Sequence, residues 1–103
     1  MGQLVKTINT SEIPPGKGRL VKVNGLQLAV FNVDGSFFAI DNQCPHSRGP
    51  LSEGRVFNKR VTCPWHGSKF DLKTGSCLAG PATTDVESYP VIIKEEAVFV
   101  EIA

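Results

Sequence analysis

The feature that most constrains this chain is a pair of short loops, each carrying one cysteine and one histidine. The first is "CPHSRGPLSEG" (residues 44–54), and the second begins "CPWHGSKF" (residues 63–70). Cys44 and His46 are followed by sixteen residues and then by Cys63 and His66, which uses both histidines of the chain. Four sulfur and nitrogen donors in two pairs can close around one metal centre. The fold must therefore bring two separate loops side by side.

The spacer between the loops and the turns inside them suit that arrangement. Sixteen residues are enough for a β-hairpin that leaves the first loop and returns with the second beside it. Prolines stiffen both loops before metal binds, and glycines allow close backbone approach to a buried anion. The two loops and the hairpin between them are thus predicted to form one metal-binding unit.

The remaining sequence is typical of short strands separated by turns. Asn24-Gly25 and Asp34-Gly35 are strong two-residue hairpin signals. No stretch of ten or more residues has helical periodicity, apart from a single helical turn that residues 50–54 allow. The double proline in 11–18 predicts irregular structure there. The candidate strands are 3–8, 19–23, 26–33, 36–40, 55–63, 69–72, 76–80, 89–95 and 97–102. The predicted fold is all-β, a sandwich or small barrel of antiparallel strands.

Composition narrows the class of protein. A length of 103 residues predicts one domain, 1–103. The net charge of +1 gives no field that favours nucleic acid or an anionic membrane, and the apolar runs are too short to span a bilayer. The first ten residues lack secretory-signal features, so we expect a cytoplasmic protein. Three cysteines are an odd number, and cysteines beside histidines in a reducing compartment indicate metal or catalysis rather than disulfides.

Two metal centres fit the donors. Two cysteines and two histidines form a common structural zinc set, and such a module would act in protein interaction. The same donors can hold a [2Fe–2S] cluster with two cysteines on one iron and two histidines on the other. One cysteine and one histidine from each loop favours the cluster, because each loop then reaches both irons. Zinc fingers usually pair cysteine with cysteine and histidine with histidine along the chain.

The segments "CPHSRGPLSEG" and "CPWHGSKFDLKTGSCLAGPA" resemble the two boxes of the Rieske ferredoxin family, which are small one-electron carriers. The resemblance implies one [2Fe–2S] cluster per chain, held in a fold of stacked antiparallel sheets with a cluster-binding subdomain at about 41–82. It implies that Cys44 and Cys63 bind the inner iron and that His46 and His66 bind the outer iron at the surface. It also implies transient contact with a flavin-dependent NAD(P)H reductase and a terminal oxygenase, by a chain that we expect to be a monomer.

Two enzyme activities are disfavoured by the residues present, and one other subunit role remains open. A self-contained Rieske oxygenase needs a second iron, usually held by two histidines and a carboxylate, and this chain has no further histidine. The chain also lacks a dinucleotide fingerprint, so it is not expected to oxidise NADH itself or to act as an enzyme alone. It could instead be the small subunit of an assimilatory NADH-dependent nitrite reductase, which shares the fold.

The resemblance also carries an expectation about the reduction potential. High-potential members join their two boxes by a disulfide, and Gly49 and Trp65 stand at those positions here. They also place a tyrosine hydroxyl near a ligand sulfur, where this chain has Phe70. We therefore expect the lower half of the Rieske range of roughly −150 to +300 mV. Ser68 is expected to keep a hydrogen bond to a bridging sulfide.

Most other residues near the loops are expected to have structural roles. Cys77 is predicted to be a small apolar strand residue rather than a ligand. Trp65 is expected to be partly exposed, and the phenylalanines at 37, 38 and 57 are expected to pack in the core or under loops. The cations near the loops fit either a solvated surface or a surface that attracts an acidic partner; they are Arg48, Arg55, Lys59, Arg60 and Lys69.

Overall fold

The computed structural model describes residues 2–102, and that part of the chain forms eleven strands in three antiparallel sheets. The strands are β1 Gln3–Asn9, β2 Lys17–Val23, β3 Leu26–Val33, β4 Ser36–Asp41, β5 Arg55–Phe57, β6 Arg60–Thr62, β7 Lys69–Asp71, β8 Cys77–Ala79, β9 Ser88–Tyr89, β10 Val91–Lys94 and β11 Ala97–Ile102. Short 3-10 turns cover Thr10–Glu12 and Leu51–Glu53. Among residues 2–102, no helix has the length and apolar character needed to cross a membrane.

The middle sheet, β2-β3-β4-β9, is apolar on both faces. Leu28 and Val30 of β3 face one core, while Ala29 and Phe31 face the other. A strand buried on both sides needs no polar alternation, which explains the nearly continuous apolar run of β3. This strand is the shared wall between the two halves of the molecule.

The other two sheets cover the two faces of the middle sheet. The sheet β1-β11-β10 contributes Val98 and Val100 to the first core. The sheet β5-β6-β7-β8 contributes Val61 and Phe70 to the second core. The prediction of an all-β fold of stacked antiparallel sheets is confirmed.

The glycine-containing turns lie where the sequence predicts them. Asn24-Gly25 joins β2 to β3 with φ values of 47° and 82°, and Asp34-Gly35 joins β3 to β4 with 51° and 93°. Two successive left-handed residues give the turn twist that matches paired strands. The helical turn allowed near 50–54 is present as Leu51–Glu53.

Three predicted segments differ from the structure. The stretch 55–63 is a hairpin of β5 and β6, because Asn58 and Lys59 both take left-handed φ, at 51° and 60°. The stretch 89–95 is divided at Pro90, where the chain leaves the middle sheet and joins β11. Residues 11–18 are less irregular than predicted, since a 3-10 turn ends at Glu12 and β2 begins at Lys17.

Candidate metal centre

The first loop begins at Cys44, three residues after the end of β4, and Asn42 fixes it by hydrogen bonds. The Asn42 side-chain oxygen accepts the Ser52 N–H at 2.8 Å, and its backbone oxygen accepts the Leu51 N–H at 2.7 Å. Above this clamp, the Cys44 N–H donates to the Gly49 carbonyl at 3.0 Å. These bonds join the two ends of the loop, so that residues 44–49 form a narrow, fixed loop.

The two loops share one hydrogen-bond pattern. In the first, the Arg48 N–H donates back to the Cys44 carbonyl at 2.7 Å. In the second, the Gly67 N–H donates to the Cys63 carbonyl at 3.2 Å, and the Cys63 N–H donates to the Ser68 carbonyl at 2.7 Å. Arg48 and Gly67 both take left-handed φ, at 63° and 80°. The sequence resemblance between the loops is therefore also a resemblance in backbone geometry.

The four predicted ligands form two pairs at different depths, the cysteines in contact with each other and the histidines in contact with each other. Cys44 and Cys63 are 0% and 2% exposed and belong to the second core. His46 and His66 are both exposed, and their ring centroids are 5.6 Å apart with the rings nearly perpendicular. A group bound between them would have a buried thiolate side and a surface imidazole side.

The surroundings of Cys44 favour the thiolate that a metal requires. Burial raises the pKa of the Cys44 thiol. The backbone N–H groups of Ser47 and His46, the Cys63 side chain and the Ser47 hydroxyl lower it more, so the pKa lies below its ordinary value. Donors aimed at the sulfur stabilise its anion, which is the form that ligates metal.

The loops also touch each other directly. A Cβ atom on Gly49 would lie 2.8 Å from Cys63 Sγ and 3.1 Å from Trp65 Cγ. Such contacts are shorter than carbon and sulfur normally allow, so only glycine fits at this position. Trp65 packs over Gly49 and remains 53% exposed, as expected. All three cysteines are free, so this packing stands where the high-potential relatives have their disulfide.

A third segment closes the side of the second loop. The Ala82 N–H donates to Ser68 Oγ at 3.0 Å, and Ser68 is fully buried. A Cβ atom on Gly80 would lie 2.5 Å from Ser68 Cα, so the segment 80–82 presses closely on the loop. Ser68 Oγ accepts this bond and keeps its own proton, and its donation to a sulfide stays a prediction.

The structure also decides the predictions made for Cys77 and for three phenylalanines. Cys77 lies in β8, packs against the second core, and has its sulfur 3.1 Å from the Ala82 carbonyl, as suits a structural residue. Phe37 and Phe38 pack against the cores, but Phe57 is 74% exposed. The core prediction for Phe57 is wrong because this residue ends a three-residue strand at the tip of the β5–β6 hairpin.

The donor set fits a [2Fe–2S] cluster. Within residues 2–102, no three or more His, Cys, Asp and Glu side chains are grouped as a lone metal ion requires. A cluster presents two irons, each with two protein ligands, and the structure offers two buried sulfurs and two surface imidazoles. The donor set therefore fits the ligand chemistry of this cluster.

Comparison with protein families gives the same result. The model of the Rieske [2Fe–2S] domain matches residues 3–90. This chain belongs to the Rieske [2Fe–2S] domain family. Its cofactor is therefore a [2Fe–2S] cluster, and the zinc alternative is disfavoured.

Relatives of this Rieske chain are named as electron-carrying components. The ferredoxin component of the naphthalene 1,2-dioxygenase/salicylate 5-hydroxylase systems of Ralstonia sp is 38% identical over 87% of this chain and 86% of its own length. Among solved structures, the complex of reduced oxygenase and oxidized ferredoxin in carbazole 1,9a-dioxygenase contains a chain that is 34% identical. That match has a TM-score of 0.86 and covers 94% of this chain and 91% of the other.

A different kind of Rieske protein has a similar backbone. The putative NADH-dependent nitrite reductase small subunit from Mycobacterium tuberculosis superposes with a TM-score of 0.90 at 29% identity. The match covers all of this chain and 97% of the other. The Rieske fold alone therefore does not separate a ferredoxin from a reductase subunit.

Sequence reasoning found the four donors but missed the residues that support them. Asn42 lies two residues before the first cysteine, and nothing local marks it as a clamp on Leu51 and Ser52. Ser47 lies inside the first loop, but its contact with Cys63 joins positions sixteen residues apart. The one available signal was their polarity within otherwise buried or glycine-rich stretches.

Proposed function

We propose that this chain is the ferredoxin component of a multicomponent oxygenase, carrying single electrons from a flavoprotein reductase to a terminal oxygenase. The observation that carries the proposal is the pair of matching loops with two cysteines buried and two histidines at the surface. Support comes from the Ralstonia relative, which matches along most of both chains and is named as a ferredoxin component.

We propose that Cys44 and Cys63 bind the inner iron and that His46 and His66 bind the outer iron. When bound, the cluster takes up and releases one electron at a time. The buried thiolates anchor it in the second core. This assignment gives each loop one ligand to each iron.

The histidine edge is the proposed route of electrons in and out. Both rings are exposed, whereas both sulfurs are enclosed by protein. A partner that covers His46 and His66 comes closest to the outer iron. The contact is expected to be transient and small, as in other redox encounters.

The unit that performs this role is proposed to be one domain, residues 1–103, acting as a monomer. Residues 41–82 form its cluster-binding subdomain, which includes both loops, the β5–β6 hairpin and the segment 80–82. A reducing compartment, the cytoplasm, suits a site built on free thiols.

An EPR spectrum of the dithionite-reduced protein tests the cluster and its ligands. Native protein should contain two irons and two sulfides per chain and show the signal of one mixed-valence iron pair. Cys44→Ser and His66→Ala should lose that signal, because each removes one iron ligand. Cys77→Ser is the matched control and should keep it. A colourless native protein with stoichiometric zinc would overturn the proposal.

The nitrite reductase small subunit remains the second candidate, favoured by the match to the M. tuberculosis structure. The two functions differ in the protein that accepts the electron. Co-purification with a large sirohaem-containing partner supports the reductase subunit. Reduction of a ring-hydroxylating oxygenase by the reduced chain supports the ferredoxin and contradicts the subunit.

A further inference from the structure

Ser47 reaches from the first loop to a ligand of the second. Its hydroxyl oxygen lies 3.6 Å from Cys63 Sγ, a separation suited to a hydrogen bond with sulfur. The two residues are sixteen positions apart in the sequence. This contact is thus a polar link between the two ligand loops, beside the apolar packing of Trp65 on Gly49.

The direction of the Ser47 hydrogen bond follows from its other partner. The Gly49 N–H donates to Ser47 Oγ at 3.4 Å, so the oxygen already acts as an acceptor. A cysteine that ligates iron is a thiolate and has no proton to give. The hydrogen-bond contact of Ser47 Oγ with a ligand sulfur is the one to Cys63 Sγ, so with both cysteines as thiolates the single hydroxyl proton is donated to Cys63 rather than to Cys44.

Water cannot readily replace this donor. Cys63 is 2% exposed, and the backbone at Gly49 lies so close to its sulfur that a Cβ atom there would be 2.8 Å away. A hydrogen bond to an anion in such an enclosed place is stronger than the same bond in water.

We propose that Ser47 is a positioning residue that raises the reduction potential of the cluster by donating a hydrogen bond to Cys63 Sγ. The inference rests on the ligand assignment proposed above. Reduction adds negative charge to the cluster and its thiolates, so a donor to sulfur stabilises the reduced state more than the oxidised state. Phe70 has no hydroxyl to donate to a ligand sulfur, and Ser47 supplies one from the first loop instead.

The test is a spectroelectrochemical titration of holoprotein with Ser47→Ala. The variant should keep its cluster and show a lower midpoint potential. At one fixed potential, its ratio of reduced to oxidised protein should fall about three- to tenfold, because only the difference in strength of this hydrogen bond between the reduced and oxidised states affects the ratio. Ser36→Ala, at an exposed hairpin position, is the matched control and should leave the midpoint unchanged.

A second pair of variants covers the case in which Ser47→Ala does not fold. Ser47→Thr and Ser47→Val have nearly the same shape and differ in the hydroxyl, so the threonine variant should have the higher midpoint. Native protein and Ser47→Ala could have equal midpoints, and so could Ser47→Thr and Ser47→Val. Equality in both pairs, with full cluster content, would overturn the proposed role of Ser47 and leave the proposed function standing. Absence of the cluster EPR signal from native protein would instead overturn the proposed function.

Discussion

Gly49 occupies the narrowest point between the two ligand loops. Its φ is not left-handed, so glycine is needed there for close approach rather than for backbone conformation. Cys63 Sγ and the Trp65 ring occupy the space into which any Cβ atom would project. The distance between the loops is thus set by the absence of a side chain at a single residue.

Replacement of Gly49 by alanine should separate the loops. We expect Gly49→Ala to lower stability by about 1–3 kcal/mol, the usual cost of overpacking, and to reduce iron content. Iron analysis and urea unfolding of the purified variant measure both effects. Gly16→Asn is a suitable control, because Gly16 lies outside both ligand loops, has open space around it, and has a left-handed φ that asparagine tolerates. Full iron content and native stability in Gly49→Ala would contradict the steric argument.

The loops are also fixed from below by contacts between strands. Asp41, the last residue of β4, accepts the Tyr89 hydroxyl at 2.6 Å and the Glu87 N–H at 3.2 Å. Asp41 lies three residues before Cys44, so this junction braces the start of the first loop. Burial raises the pKa of Tyr89, and the hydrogen bond to Asp41 and the carboxylates of Asp41 and Glu87 raise it further.

The Tyr89 junction should make folding stability depend on alkaline pH. The unfolded chain ionises tyrosine near its ordinary pKa of about 10, whereas the folded protein resists ionisation. Stability from this residue is thus present below pH 10 and declines as pH rises above it. Tyr89→Phe should lose about 1–2 kcal/mol at pH 8 and show a shallower decline between pH 10 and 11. Urea unfolding across pH 8–11 measures both, and parallel curves for native and variant would contradict the assignment.

Hairpins marked by glycine were predictable from sequence, as were the first and last strands, whereas two strand boundaries without glycine were not. Asn24-Gly25 and Asp34-Gly35 announce their hairpins, but Asn58-Lys59 turns without glycine. The change of sheet at Pro90 depends on which strands are already paired, which no local pattern records. The spacing of the two cysteines and two histidines identified the candidate site. The residues that support it, Asn42 and Ser47, contact positions distant in the sequence, and no local pattern records such contacts.

The whole molecule has a much stronger charge asymmetry than its net charge of +1 suggests. Residues 44–70 carry five cations and one anion, whereas residues 81–102 carry one cation and five anions. The five cations of the first set are all exposed, and Arg55 and Lys69 line the same surface depression as His66. Such a concentration of positive charge attracts an approaching anion or acidic partner to this surface.

Small oxidants of opposite charge can measure this field. The reduced protein should react with anionic hexacyanoferrate(III) more slowly as salt is added, and with cationic tris(bipyridine)cobalt(III) more rapidly. Stopped-flow rates at several ionic strengths give both slopes. Arg55→Glu with Lys59→Glu leaves three cations and three anions in residues 44–70, so it should flatten both slopes.

The matched control for this charge reversal is Lys6→Glu with Lys94→Glu, which changes net charge equally in the sheet β1-β11-β10. It should leave the signs of both slopes as in the native protein. Equal effects of the two double variants would show that net charge, rather than its placement, governs the rates.

Trp65 is the single tryptophan of the chain, and it lies over Gly49 where the two loops meet. An iron–sulfur group that absorbs visible light quenches the fluorescence of a nearby indole, so Trp65 fluorescence is expected to stay weak while that group is present. Brightening would accompany release of iron during ageing, oxidation or denaturation. The molecule therefore has a built-in optical reporter of its own occupancy, and no attached dye is needed to follow it.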